Sequence, residues 1–117
     1  MNKFELETMI AAYVECALWS STDDNDKTLD DKYGESDVLK ETMREMRADC
    51  KAFGQANATD IGINWERAGH DFWLTRNRHG AGFWDGDWPE PAGKRLTDAA
   101  HAFGSVDLYV YRGKVRK

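Results

Sequence analysis

Cysteines and long apolar runs are scarce in this 117-residue chain, and each scarcity excludes a class of protein. Two cysteines are too few for the dense disulfide framework of a small secreted domain. No apolar run approaches the roughly 18 residues that a membrane-spanning helix needs. The apolar stretch up to Trp19 is preceded by Glu5 and Glu7, where a signal peptide would be basic. We therefore expect no secretion signal and a cytoplasmic protein.

Catalytic and metal-binding motifs are also missing. The chain contains no G-x-S-x-G, no phosphate-binding P-loop and no H-E-x-x-H. Its histidines and cysteines lack the spacing of a zinc site. A calcium loop laid from Asp24 to Glu35 would put Leu29 where that loop needs glycine. The sequence predicts no catalytic residue, no metal site and no cofactor.

The composition is that of one folded domain covering residues 1–117. Hydrophobic residues make up 41% of the chain and include five tryptophans, which supplies material for one core. Charged residues reach 32%, enough for a well-hydrated surface.

Charge is distributed unevenly along the chain. Residues 1–60 carry fourteen acidic residues against seven Lys or Arg, whereas residues 61–117 carry seven against nine. The net charge of −5 repels phosphate, which makes ordinary duplex DNA a poor partner.

Two amphipathic helices are predicted in the first half of the chain. The first covers residues 3–19, and the second begins with Ser36 or Asp37 as its cap. Between them, residues 20–35 form a polar, acidic loop. Cys16 and Cys50 fall near the apolar stripes of the two helices, so we expect buried thiols.

The second half is predicted to be β-β-α-β. Residues 71–76 and 83–85 have aromatic, strand-like character and flank a Gly-bearing turn, which favours a β-hairpin. A short helix over residues 94–103 and a strand over residues 106–111 follow. The predicted fold is α+β: an N-terminal helical hairpin, then β-β-α-β with a small antiparallel sheet.

The block from His70 to Asp85, HDFWLTRNRHGAGFWD, resembles one found in small, mostly uncharacterised proteins of bacteriophages and other mobile elements. The stretches over residues 12–21 and 96–110 are similar to the same group. Arg78 stands where those proteins usually have Gly, and their ends tend to be acidic or neutral where this chain has a basic tail. The resemblance implies a phage or mobile-element origin and no particular activity.

The acidic loop is the first candidate binding surface. Its carboxylates could imitate nucleic-acid phosphates and bind a basic groove of a host defence nuclease, or they could simply be a hydrated loop. The candidate partner-binding residues are Asp23, Asp24, Asp26, Asp30, Asp31 and Glu35. We expect a non-enzymatic protein that binds a host protein through this surface, with a DNA-mimic inhibitor as its specific form.

The predicted sheet and its turn are the second candidate. Arg76, Arg78 and His79 beside glycines could hold an anion, and His79 with Arg76 could act on an anionic substrate. If Trp73, Trp84, Tyr109 and Tyr111 shared an open sheet face, they could stack bases of single-stranded nucleic acid. The alternatives are an ordinary hairpin turn and a covered core face.

Overall fold

Five helices and one two-stranded sheet make up the fold in a computed structural model that describes all residues, 1–117. The helices are α1 (Lys3–Ser20), α2 (Lys40–Ala56), α3 (Ala58–Ile61), α4 (Trp65–Arg76) and α5 (Ala92–Ala102). The strands are β1 (Tyr109–Tyr111) and β2 (Lys114–Arg116), which pair antiparallel. None of the helices has the length and apolar character needed to cross a bilayer.

Helix α1 confirms the first predicted helix, and a side-chain cap fixes its start. The Asn2 side chain accepts a hydrogen bond from the Glu5 backbone N–H, and the Glu5 carboxylate accepts one from Asn2 N–H, both at 2.8 Å. This reciprocal capping box satisfies two backbone donors that a helix start leaves free. At the other end the chain turns extended at Ser21.

Helix α2 begins a few residues later than predicted. Ser36 and Asp37 lie in a short 3₁₀ turn, and Asp37 accepts a hydrogen bond from Gly34 N–H at 2.9 Å. The chain is then held extended at Leu39, whose N–H donates to the carbonyl of Val115 at 2.9 Å. This contact with β2 explains the late start, since an extended residue cannot belong to the helix.

The predicted β-hairpin over residues 71–85 is wrong, because residues 65–76 form helix α4. Nine of its twelve residues are buried, including the polar side chains of Asp71, Thr75 and Arg76. Its exposed residues, Glu66, Arg67 and His70, lie in the first turns, and the short apolar run that follows cannot be distinguished from a buried strand by periodicity.

Helix α4 ends in a Schellman motif. Arg78 N–H donates to the Thr75 carbonyl at 3.0 Å, and His79 N–H donates to the Leu74 carbonyl at 2.9 Å. Arg78 has φ +57°, the left-handed conformation that usually selects Gly at this position. Because an arginine stands where glycine is usual, the sequence does not indicate that the helix ends here.

The final predicted strand is confirmed only over β1, and its partner is β2 rather than residues 83–85. Arg112 and Gly113 join the two strands with φ values of +53° and +76°. Positive φ at both central residues is typical of a type I′ hairpin turn. The structure is therefore helix-rich with one small antiparallel hairpin.

One hydrophobic cluster of 25 buried residues contains side chains from all the long helices. Phe53 of α2 stacks on Phe72 of α4 with ring centroids 4.2 Å apart, and Phe103, just after α5, meets Phe72 edge-on at 5.1 Å. The predicted helix over residues 94–103 is confirmed as α5, and both cysteines are buried and free.

Helices α1 and α4 approach most closely at Gly69. A Cβ atom built on Gly69 would lie 2.1 Å from the Met9 carbonyl oxygen. The oxygen belongs to the backbone of α1 and Gly69 to that of α4, so a side chain here forces the helices apart. Their contact, the most extensive between any two elements, thus depends on this glycine.

We predict that Gly69→Ala destabilises the fold by about 3 kcal/mol or more, because overpacking against backbone cannot be relieved by a rotamer change. Gly34→Ala is the matched control, since its Cβ would meet nothing within 4 Å. Urea denaturation of both variants measures the difference. Equal stability of the two variants would contradict the close helix crossing.

Candidate functional site

The acidic loop, residues 20–35, whose first residue is also the last of α1, is held in one conformation by backbone and side-chain contacts. Thr22 pairs with Thr28 in an isolated antiparallel bridge. Leu29 is buried, and its N–H donates to the Ser21 carbonyl at 2.9 Å. The Asp23 carboxylate accepts hydrogen bonds from the backbone N–H groups of Asn25 at 2.8 Å and Lys27 at 3.0 Å.

These contacts separate the predicted partner-binding residues into two groups. Hydrogen bonds from the N–H groups of Lys27 and Asn25 lower the pKa of Asp23. The same hydrogen bonds hold the loop in shape. Asp30 accepts a hydrogen bond from the Thr28 hydroxyl at 2.7 Å. The remaining predicted residues are exposed and have no ion pair or side-chain hydrogen bond: Asp24, Asp26, Asp31 and Glu35.

The predicted anion site after α4 is not formed. The N–H groups of Arg78 and His79 are used by the Schellman motif. Gly82 N–H donates to Asp85 Oδ2 at 3.2 Å, and Phe83 N–H donates to Thr75 Oγ1 at 3.1 Å. Because these backbone donors are already paired within the chain, they do not form an open cradle for an anion.

Arg76 is a buried structural residue, 3% exposed, instead of an anion contact. Its Nη1 donates to Asp49 Oδ2 at 2.8 Å and to the Tyr13 hydroxyl at 3.0 Å. Its Nε donates to the Gly104 carbonyl at 2.8 Å and its Nη2 to the Phe103 carbonyl at 3.1 Å. The predicted pairing of Arg76 with His79 on a substrate is therefore excluded by burial.

The predicted aromatic sheet face is also not formed. Trp73 is buried in α4, and its indole N–H donates to the Ser20 hydroxyl at 2.7 Å. Tyr109 and Tyr111 lie on β1 and are each 53% exposed. Trp84, in the loop after α4, is likewise 53% exposed but belongs to neither strand, so the proposed face is reduced to the two tyrosines.

A concavity in the surface was not predicted from the sequence. It has a volume of about 730 Å³ and lies between α1, residues 63–71 and the loop over residues 81–87. We call it the acidic groove. Along α1 it is lined at helical spacing by Ala12, Glu15, Cys16 and Trp19.

The acidic groove is bordered by a buried carboxylate, that of Asp71. Asp71 is 6% exposed, and its Oδ2 accepts a hydrogen bond from the Trp88 indole N–H at 2.7 Å. Its Oδ1 lies 3.2 Å from Nδ1 of His70, whose ring is half exposed and lies 6.5 Å from the ring of Trp19. Asp71 thus holds Trp88 and orients His70.

The charge of the groove is strongly negative. Five carboxylates line it against a single arginine, Arg67. They are those of Glu15, Glu66, Asp71, Asp85 and Asp87. None of Glu15, Glu66 and Asp87 has an ion pair in the structure. A concavity with several unpaired carboxylates attracts cationic groups from solution.

Large apolar side chains lie between these charges. Trp19 is 56% exposed and Ile63 is 91% exposed, and both line the groove. Exposed aromatic and aliphatic groups within a charged concavity are typical of contact surfaces for proteins. The groove therefore offers apolar contact area together with negative charge.

The thiol in the groove wall is not an activated nucleophile. Burial, together with the charges of Asp71 and Glu15, raises the pKa of Cys16 to about 12. A thiol with so high a pKa stays neutral and unreactive near neutral pH. No three His, Cys, Asp or Glu side chains in the chain are grouped so that they could hold a metal ion.

No family model, curated protein or solved structure matches the chain. The site is therefore described from its own geometry.

We predict that Arg76→Lys lowers the free energy of unfolding by about 3 kcal/mol, because an ammonium cannot reproduce the planar set of hydrogen bonds in a buried position. Arg95→Lys is the control: Arg95 makes a two-pronged contact with Asp60, but at the surface, and its replacement should leave the stability nearly unchanged. Thermal and urea denaturation measure both. A similar loss of stability in the two variants would contradict the claim that the buried hydrogen bonds of Arg76 stabilise the fold more than a surface contact does.

Proposed function

We propose that the protein is a non-enzymatic interaction protein of a phage or mobile element, and that its acidic groove and acidic loop bind a basic surface of a host protein. The observation that carries this proposal is the acidic groove, where unpaired carboxylates surround exposed Trp19 and Ile63. Support for the mobile-element origin comes from the resemblance over residues 12–21, 70–85 and 96–110.

The groove supports a protein partner because it combines two kinds of contact. Trp19 and Ile63 provide apolar area that a partner side chain can cover, and desolvated aromatic anchors commonly dominate binding energy. The carboxylates of Glu15, Glu66 and Asp87 would meet Lys or Arg of the partner. Such charge complementarity raises the association rate and sets orientation.

The acidic loop supplies further negative charge on a fixed backbone. Asp24, Asp31 and Glu35 have no partners within the chain, while Leu29 and Asp23 hold the loop in place. A surface that is ordered before binding loses less conformational entropy when a partner docks. The specific form of the proposal is therefore a DNA mimic, whose ordered carboxylates occupy the phosphate sites of a host defence nuclease.

A tagged pull-down from host lysate tests the proposal with three variants that each remove two negative charges. The groove variant is Glu15→Gln with Glu66→Gln, and the loop variant is Asp24→Asn with Asp31→Asn. The control is Glu41→Gln with Asp107→Asn, two exposed carboxylates that have no ion pair and lie outside the groove and the loop. The washes are at about 50 mM and about 200 mM salt.

We expect one host protein to be retained at low salt, to be released at high salt, and to bind the groove variant about tenfold more weakly than the control. Competition by duplex DNA for the captured protein would support the mimic. Equal retention of all three variants would contradict the proposal.

A further inference from the structure

The β-hairpin at the end of the chain presents an outer face of different character from the rest of the surface. Tyr109 pairs with Arg116 and Tyr111 pairs with Lys114, so these four side chains share one face. On the opposite face Val115 is fully buried and Val110 partly so. The hairpin is thus amphipathic, with an aromatic and cationic side in solvent.

This face is positively charged although the whole chain is acidic. No acidic residue occurs between Leu108 and Lys117, whereas Arg112, Lys114 and Arg116 all lie in the hairpin. Their cationic groups have no ion pair within the chain. The face therefore carries three cations free to meet an external anion.

The aromatic and cationic groups are already arranged together. The guanidinium carbons of Arg112 and Arg116 each lie 5.3 Å from the centre of the Tyr111 ring. Arg116 Nε also donates to the Tyr111 carbonyl at 3.2 Å. These cation–π contacts hold the two arginine side chains over the Tyr111 ring without using their charge in an ion pair.

The hairpin is also fixed to the body of the protein. Val115 pairs with Val38 in a parallel bridge, and its carbonyl accepts the N–H of Leu39. The type I′ turn at Arg112 and Gly113 sets the twist of the two strands. A ligand would therefore meet an ordered surface.

We propose that this outer face binds single-stranded nucleic acid, with bases stacking on Tyr109 and on the guanidinium planes held over Tyr111, and phosphates meeting Lys114 and the two arginines. Residues two apart on one strand face are about 7 Å apart, so the two stacking positions can serve successive bases. The inference is independent of the acidic groove and of the proposed host partner.

A single strand fits this face better than a duplex or an acidic protein. Bases inside a duplex are not accessible to side-chain rings, whereas unpaired bases of any sequence can stack. An acidic protein would need only the cations and would leave Tyr109 and Tyr111 without a role. The net charge of −5 opposes binding to long stretches of phosphate, so we expect modest affinity with a strong salt dependence.

Fluorescence anisotropy with labelled oligothymidylate tests the proposal, with the corresponding duplex and polyglutamate as comparison probes. The test variant is Tyr109→Ala with Tyr111→Ala. The control is Phe4→Ala with Trp84→Ala, two exposed aromatics outside the hairpin. Circular dichroism melts check that both variants remain folded.

We expect the full-length protein to bind oligothymidylate at low salt more tightly than the duplex. The tyrosine variant should bind roughly tenfold more weakly or worse, and the control variant should bind like the parent. Lys114→Gln should also reduce the salt dependence by about one phosphate contact.

Three results would overturn the inference: no binding of oligothymidylate at low salt, equal binding by the tyrosine variant and the parent, or equal affinity for polyglutamate. None of these bears on the groove, whose variants keep the hairpin intact.

Discussion

The fold is organised around one buried cation. Placing a guanidinium in the interior costs several kcal/mol unless its donors are paired, and Arg76 pairs them with Tyr13 of α1, Asp49 of α2 and the two carbonyls that follow α5. All these partners must be in place together for the charge to be tolerated. Arg76 therefore fixes how three other helices stand around α4, and Gly69 allows α1 to approach it closely.

The central position of α4 divides the surface into regions of opposite charge. Because α4 lies along α1, its residues Glu66, His70 and Asp71 border a groove whose other carboxylates come from α1 and from the loop over residues 81–87. The hairpin formed by β1 and β2 carries free cations and exposed tyrosines in a separate segment. Four of the groove's five carboxylates come from residues 61–117, the less acidic half of the chain. Folding therefore gathers scattered charges into two chemically distinct surfaces, one suited to basic groups and one to phosphates and bases.

The sequence predicted those elements whose apolar residues follow a helical stripe, namely α1, α2 and α5. It did not predict α4, because the exposed polar residues of that helix are confined to its first turns and its aromatic run over residues 72–74 has the character of a buried strand. In addition, Arg78 stands in the left-handed position where Gly would mark the end. The acidic loop was identified from composition, but the structural role of Asp23 was not. The groove was missed because Glu15, Glu66 and Asp87 meet only through tertiary packing; exposed Trp19, four residues after Glu15, was its one local signal.

Zero-length carbodiimide cross-linking in host lysate, followed by mass spectrometry, tests the central claim most directly, because it reports which carboxylates touch lysines of a partner. The account predicts that cross-links join Glu15, Glu66 or Asp87, together with the acidic loop, to one host protein, and that exposed Glu41 and Asp107 remain unlinked. Cross-links spread evenly over all exposed carboxylates and over many host proteins would contradict a specific acidic binding face.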